Sequence, residues 1–177
     1  IIFYFNPNIY PQEEYEIRKA ESKRHAESLG IQRIDGDVGC QMLDVGCQMS
    51  VESSQWSASH AEWLEAMRGL ENEPERGSRC ARCFYYRMLA TAKKAQELGI
   101  PFFATTLASS RWKNLEQINA AGEKAAEDVG CKMPDVHFWA QNWRKDGLQE
   151  RRNALLKEYA FYNQQYCGCE FSMRSTK

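Results

Sequence analysis

The chain has 177 residues, a length that predicts one domain with a buried core. Hydrophobic residues are 43 % and charged residues 27 %, ordinary for a globular protein. A net charge of -1 excludes a global basic excess, so any nucleic-acid contact must come from a local patch. No long apolar stretch is present either, and no membrane partner is expected.

"IIFYF" (Ile1 to Phe5) has strand composition, and "NPN" (Asn6 to Asn8) ends it by turn chemistry. The chain starts without methionine or a basic n-region, which reads as a strand entered within a protein and predicts an N-terminal truncation. After Pro11, "QEEYEIRKAESKRHAESLG" predicts a helix with Glu13 and Glu14 in its first turn and Gly30 just past its end. "IQRID" (Ile31 to Asp35) is a short second strand.

"DVGCQM" then occurs at Asp37 to Met42 and again at Asp44 to Met49, with "DVGCKM" at Asp128 to Met133. Two glycine-bearing copies do not make a coiled coil. The stretch 36–57 is read as a loop insertion, which leaves Cys40 and Cys47 as weak ligand candidates. Ala61, Trp63, Leu64, Met67 and Leu70 space as a short helix, and "ENEPERGSR" (Glu71 to Arg79) is a charged loop.

From Cys80, "CARCFYYRMLATAKKAQELG" places Phe84, Met88, Ala92 and Ala95 on one helical face, closed by Gly99. "IPFFATTL" (Ile100 to Leu107) reads as the clearest buried strand. Leu115, Ile118, Gly122, Ala125, Ala126 and Val129 follow at helical spacing up to Gly130. "DVHFW" (Asp135 to Trp139) is a further strand and "LQERRNALLKEY" (Leu148 to Tyr159) a last helix. Strands alternating with helices predict an α/β domain with a mostly parallel sheet. Sites in such sheets lie beyond the carboxyl ends of the strands, here after Phe5, Leu107 and Trp139.

Seven cysteines, an odd number, with no secretory signal argue against a disulfide scaffold and for a reducing, cytoplasmic setting. Close-spaced pairs are then metal-binding or redox-active. Cys80 and Cys83 open a helix, where N–H groups and the dipole favour thiolate, as do Arg79 and Arg82. Their spacing lets both sulfurs reach one metal. Cys167 and Cys169 flank a single glycine in "YCGC", which suits a strained, easily reduced disulfide or two ligands of a cluster. A structural four-cysteine zinc site from both pairs stays open as an alternative. Cys131, beside Gly130, reads as packing, and His25, His60 and His137 as structural.

"SSRWKN" (Ser109 to Asn114) and "AQNWRKDG" (Ala140 to Gly147) interleave Trp112 and Trp143 with Arg111, Lys113, Arg144 and Lys145. That mixture suits stacking on unpaired bases while phosphates are neutralised, and points to RNA.

"FYFNPNIYPQEEY", "RCARCFYYRM", "FATTLASSRWKNLEQINAAG" and "FYNQQYCGCEFS" together resemble the QueH family of epoxyqueuosine reductases, in order from Phe3 to Ser172. The resemblance implies a single three-layer Rossmann-like (HUP-like) α/β domain over 1–177, with a Cys-rich cluster site at the C-terminal edge of its sheet. It implies reduction of the epoxide of epoxyqueuosine at the wobble position of tRNA, the last step of queuosine synthesis. The implied cofactor is a [4Fe-4S] cluster with Cys80 and Cys83 among its ligands, an additional iron beside it being open. Cys167 and Cys169 would be the redox-active pair, and an unidentified electron donor is the further partner.

The family pattern also has two adjacent cysteines upstream, which this sequence lacks, so the remaining cluster ligands are expected before residue 1. Thr105, Thr106, Arg111 and Lys113 are expected substrate contacts by position. Two rival readings are a zinc-stabilised RNA-binding module without catalysis and a metal-free thiol-disulfide oxidoreductase.

Overall fold

The computed structural model describes residues 1–36, 55–130 and 135–173, arranged in two compact units. Both copies of DVGCQM, with Cys40 and Cys47, lie outside the described residues, as does Cys131. The first unit comprises residues 1–71 and 164–177, the second 72–163.

In the first unit, strand β1 (Ile2–Tyr4) leads through helix α1 (Gln12–Ser28) to strand β2 (Arg33–Asp35), and the two strands pair in parallel with Phe3 opposite Ile34. Pro11 stands at the start of α1, where a missing N–H costs nothing, and Glu13 and Glu14 face the positive end of the helix dipole. Gly30, at φ 62°, releases the chain from the helix in a left-handed conformation that a side chain resists.

Helix α2 (Gln55–Ala66) begins earlier than the apolar spacing from Ala61 predicts and stops before Met67 and Leu70. Its first turns are polar, so apolar periodicity alone does not register them. Met67 belongs to the tight turn that follows, its N–H donating to Trp63 and Leu64, and both Trp63 and Met67 are fully buried. With Tyr4, Phe5, Ile9, Ala26 and Phe171 they make the unit's interior. A short helix, α6 (Glu170–Met173), closes the described chain and seats Phe171 against Trp63, ring centroids 5.9 Å apart.

The second unit is built on helix α3 (Ser78–Glu97), whose face of Phe84, Met88, Ala92 and Ala95 is buried as its spacing predicts. Against it packs α4 (Leu115–Val129), whose expected limits are also met. Asn114 fixes its start by accepting the N–H groups of Glu116 (2.9 Å) and Gln117 (3.2 Å). Strands β3 (Phe102–Phe103) and β4 (His137–Phe138) pair in parallel beside these helices. Helix α5 (Leu148–Glu158) is amphipathic in name only, with no buried residue.

One expectation is corrected. The stretch Ile100 to Leu107 is not one buried strand: Phe103 is buried but Phe102 is 61 % exposed, because successive strand residues point to opposite faces and here one face is open. The strand ends because Thr105 accepts the N–H of Leu107 through its hydroxyl (3.2 Å), turning the chain into a 3-10 turn over Thr106–Ser109. The described strands form two two-stranded parallel sheets, one in each unit. The chain is thus a mixed α/β molecule, mostly helical, with short parallel sheets.

Candidate functional site

Cys167 and Cys169 lie in the first unit, Cys80 and Cys83 in the second, and all four are thiols outside any disulfide.

The Cys167–Gly168–Cys169 turn is held by a frame assembled from α1 and the segment after β1. Arg18, on α1, forks onto it: Nη1 donates to the Cys167 carbonyl and Nη2 to the Tyr166 carbonyl, each at 3.2 Å. The guanidinium is anchored from behind by Glu14 one helical turn away, Nε to Oε1 at 2.7 Å, and lies over the Tyr166 ring at 5.3 Å. The Tyr10 N–H donates to the Gly168 carbonyl (2.8 Å), and the Tyr166 hydroxyl donates back to the Tyr10 carbonyl.

Gly168 is required twice. Its φ of 104° is left-handed, and a Cβ there would stand 2.8 Å from Arg18 Nη1 and 3.2 Å from Ile9 Cγ1. Cys167 is half-buried, following the exposed Gln164 and Gln165, whereas Cys169 is only 8 % exposed. The Cys169 carbonyl accepts both the N–H (3.0 Å) and the hydroxyl (2.6 Å) of Ser172, which fixes the residue toward the interior.

Beside this frame, His60 is buried. Its Nδ1 donates to the Pro7 carbonyl at 2.7 Å, and its ring stacks on Trp56 at 5.0 Å and on Tyr10 at 5.7 Å. A carbonyl only accepts, so the proton sits on Nδ1.

In the second unit, Cys80 is half-buried and Cys83 is 8 % exposed, both in the first turns of α3. Gly77 precedes the helix without a side-chain cap, and Glu73 supplies one from upstream by accepting the Ser78 N–H at 3.1 Å. Arg76 takes a left-handed φ of 66°, which aims its N–H at Cys80 Sγ (3.3 Å). That N–H to sulfur contact is the kind that favours a thiolate. The turn is locked by two more bonds: Arg76 Nε donates to the Trp112 carbonyl (2.9 Å), and Gln117 Nε2 donates to the Arg76 carbonyl (2.7 Å).

Arg79 is buried with its guanidinium on the Glu73 carbonyl, which braces the loop before α3. Arg82 is exposed.

The aromatic and basic residues sort into two groups. Trp112 is 69 % exposed, with the Arg111 guanidinium 4.9 Å from its ring. Trp139, which the motif reading passed over, is 55 % exposed and meets Trp143 edge-on at 5.6 Å. By contrast, Trp143 Nε1 donates to the Thr105 carbonyl (3.0 Å), and Arg144 donates to the carbonyls of Ala108 and Lys113 (3.0 Å each). Trp143 and Arg144 therefore build the loop, whereas Arg111, Trp112 and Trp139 are exposed. Lys113 is half-buried, its Nζ 5.9 Å from the Phe84 ring, and Lys145 is exposed. The Thr105 hydroxyl is used in the turn after β3, whereas Thr106 is exposed.

Among the described residues, no group of three or more His, Cys, Asp or Glu side chains is gathered as a metal ion requires. The four-cysteine zinc reading gains no support from that geometry. Nor do the described residues complete the ligand set of a cluster.

The comparisons with known proteins agree with one another. The sequence model of the family described as epoxyqueuosine reductase QueH matches residues 1–175. The chain is 42 % identical over 175 residues to the epoxyqueuosine reductase QueH of Histophilus somni, covering 99 % of this chain and 62 % of that protein. It is 42 % identical to that of Acinetobacter baylyi, covering 99 % and 69 %, and 30 % identical to that of Thermotoga maritima, covering 97 % and 78 %.

Proposed function

Because the chain belongs to the epoxyqueuosine reductase QueH family, we propose that it reduces the epoxide of epoxyqueuosine in tRNA to the alkene of queuosine. Its oxidoreductase character rests on the name its relatives carry. The single observation behind the reading is the family match along residues 1–175, which keeps both cysteine pairs within its span. The chain spans 62 % of the Histophilus relative's length, so the activity, substrate and partners assigned here are those of the whole protein as we read it.

The reaction needs two electrons and two protons, and the epoxide oxygen leaves as water. A dithiol supplies both in one step: Cys167 and Cys169 lose two hydrogens, their sulfurs join, and the epoxide becomes an alkene. We assign the pair to that role. Gly168 keeps the turn tight, Arg18 and Tyr10 hold its carbonyls, and Cys167 is the less buried residue of the pair.

A [4Fe-4S] cluster, when bound, would supply low-potential electrons at the same protein, and Cys80 and Cys83 are the residues of this chain that would hold it. The Arg76 N–H on Cys80 supports a thiolate there. Exposed Trp112 and Trp139 with Arg111 suit an unpaired base and its phosphate, and Thr106 and Lys113 lie on the same stretch after β3. We read the short parallel sheets as parts of a Rossmann-like α/β plan. Soluble, cytoplasmic work on tRNA follows from that substrate; no described helix is long and apolar enough to cross a membrane.

The test is an anaerobic assay of the full protein on tRNA carrying epoxyqueuosine, with iron and sulfide quantified on the same sample. Turnover by wild type and its loss in Cys167→Ser and Cys169→Ser are expected. Cys80→Ala should lose bound iron, and retained cluster absorbance in that variant removes Cys80 from the ligand set. A colourless, inactive protein holding zinc would replace this reading with the structural module. A titratable disulfide without metal or turnover would favour the oxidoreductase.

A further inference from the structure

The two thiols of the Cys167–Gly168–Cys169 turn are inequivalent, and the residue that makes them so is on another element. Arg18 ties the carbonyls on either side of the Cys167 Cα, those of Tyr166 and Cys167, and the Tyr10 N–H ties the next one, at Gly168. Three consecutive carbonyls are thereby fixed, and with them the direction in which each cysteine leaves the backbone. Ser172 fixes the fourth, at Cys169. The result is a half-buried Cys167 and a buried Cys169. Arg18 itself has little freedom: its side chain is 10 % exposed, Glu14 holds it from behind, and Gly168 leaves no gap beside it.

We propose that the pair exchanges electrons in a fixed order, with Cys167 the sulfur that meets external thiols, Cys169 the resolving sulfur, and Arg18 the positioning residue that sets the order. The inference rests on the reading of the pair as a cycling dithiol and names the chemistry of its reloading. Attack on a disulfide goes to the accessible sulfur and expels the other. A dithiol reductant, small or protein-borne, forms a bond from its thiolate to Cys167 Sγ, the Cys167–Cys169 bond breaks, and Cys169 leaves as thiolate and takes a proton. The second thiol of the reductant then attacks the mixed disulfide and becomes its own disulfide, and Cys167 leaves as thiolate and takes a proton. Two electrons and two protons have passed from reductant to pair.

The experiment labels the native, reduced full protein with iodoacetamide over a time course, then digests it. Trypsin releases both cysteines in one peptide, Glu158 to Arg174, and fragment ions place the label. Cys167 is expected to label at least tenfold faster than Cys169. In Arg18→Ala the ratio should fall below about threefold, and Arg18→Lys, which keeps one donor but not the fork, should recover part of it. Equal labelling in wild type, or faster labelling of Cys169, overturns the order. An unchanged ratio in Arg18→Ala overturns the role of Arg18. A change in overall stability alone does not produce rescue by lysine, so loss without rescue also counts against Arg18. The Cys→Ser variants are assayed for reduction in parallel: retained turnover in both sinks the cycling reading itself, whereas lost turnover with equal labelling sinks only the order.

Discussion

A single glycine and a single arginine carry much of what distinguishes this chain at the residue scale. Gly168 combines a left-handed φ of 104° with a neighbour 2.8 Å from where a Cβ would stand. Gly168→Ala is therefore expected to destabilise the first unit by about 1–3 kcal/mol, the usual cost of forcing a side chain into such a conformation. Denaturant unfolding checks it, and wild-type stability in the variant would show that the turn relaxes freely. Tyr85 is a second residue-scale case. Its hydroxyl donates to Asp128 Oδ2 at 2.6 Å, and burial, then that bond, push its pKa from 10.0 up to about 12. A raised pKa favours the protonated form in the folded state, so the contribution is present below pH 10 and is lost as pH rises through about 12. Tyr85→Phe should cost about 1 kcal/mol or less at neutral pH, the net worth of one hydrogen bond. The gap between variant and wild type should close in alkaline unfolding curves; a gap independent of pH would contradict the assignment. On the acid side, hydrogen bonds from Lys124 and then Tyr85 hold the Asp128 carboxyl below its ordinary range.

Helices and strands meet at close range in the second unit. Gly122 lies on α4 where a Cβ would stand 2.6 Å from the Phe138 ring of β4. Alanine normally improves a helix interior by about 1 kcal/mol over glycine. Here overpacking, typically about 1–3 kcal/mol, opposes that gain. Gly122→Ala should be destabilising on balance, and Phe138→Leu in the same chain should restore part of the loss in a double-mutant cycle. Additive effects would mean that the ring simply moves aside. The limits of these elements were legible where a local signal ends them: Asn114 before α4, Gly30 after α1, Gly99 after α3. They were not legible where the signal is a side-chain turn, as at Thr105, or a polar first turn, as in α2.

At the scale of the molecule, the proposed substrate asks how a chain with a net charge of -1 would meet RNA. The answer we favour is local: Trp112 and Trp139 exposed, Arg111 against the Trp112 ring. Trp112→Ala should weaken binding of the tRNA by about 1–3 kcal/mol, the worth of one stacked base, without changing the unfolding midpoint. Arg111→Gln should flatten the salt dependence of binding by about one unit of slope. Binding unaffected by both would move the RNA contact elsewhere on the surface.

The sequence by itself determined the family and the local pattern of the chain. Cysteine spacing, the glycine between Cys167 and Cys169, the apolar faces of α3 and α4 and the order of the four motifs are all properties of neighbours along the chain, set by covalent distance and helical period. Tertiary structure alone decided which charges are used and by what. Arg79, singled out for its place beside Cys80, donates to the Glu73 carbonyl, and Arg18, which carried no motif, holds the Cys167 carbonyl. A guanidinium reaches whichever carbonyl the fold brings within about 3 Å of it, and that partner is 149 residues away for Arg18, a separation that no local pattern encodes.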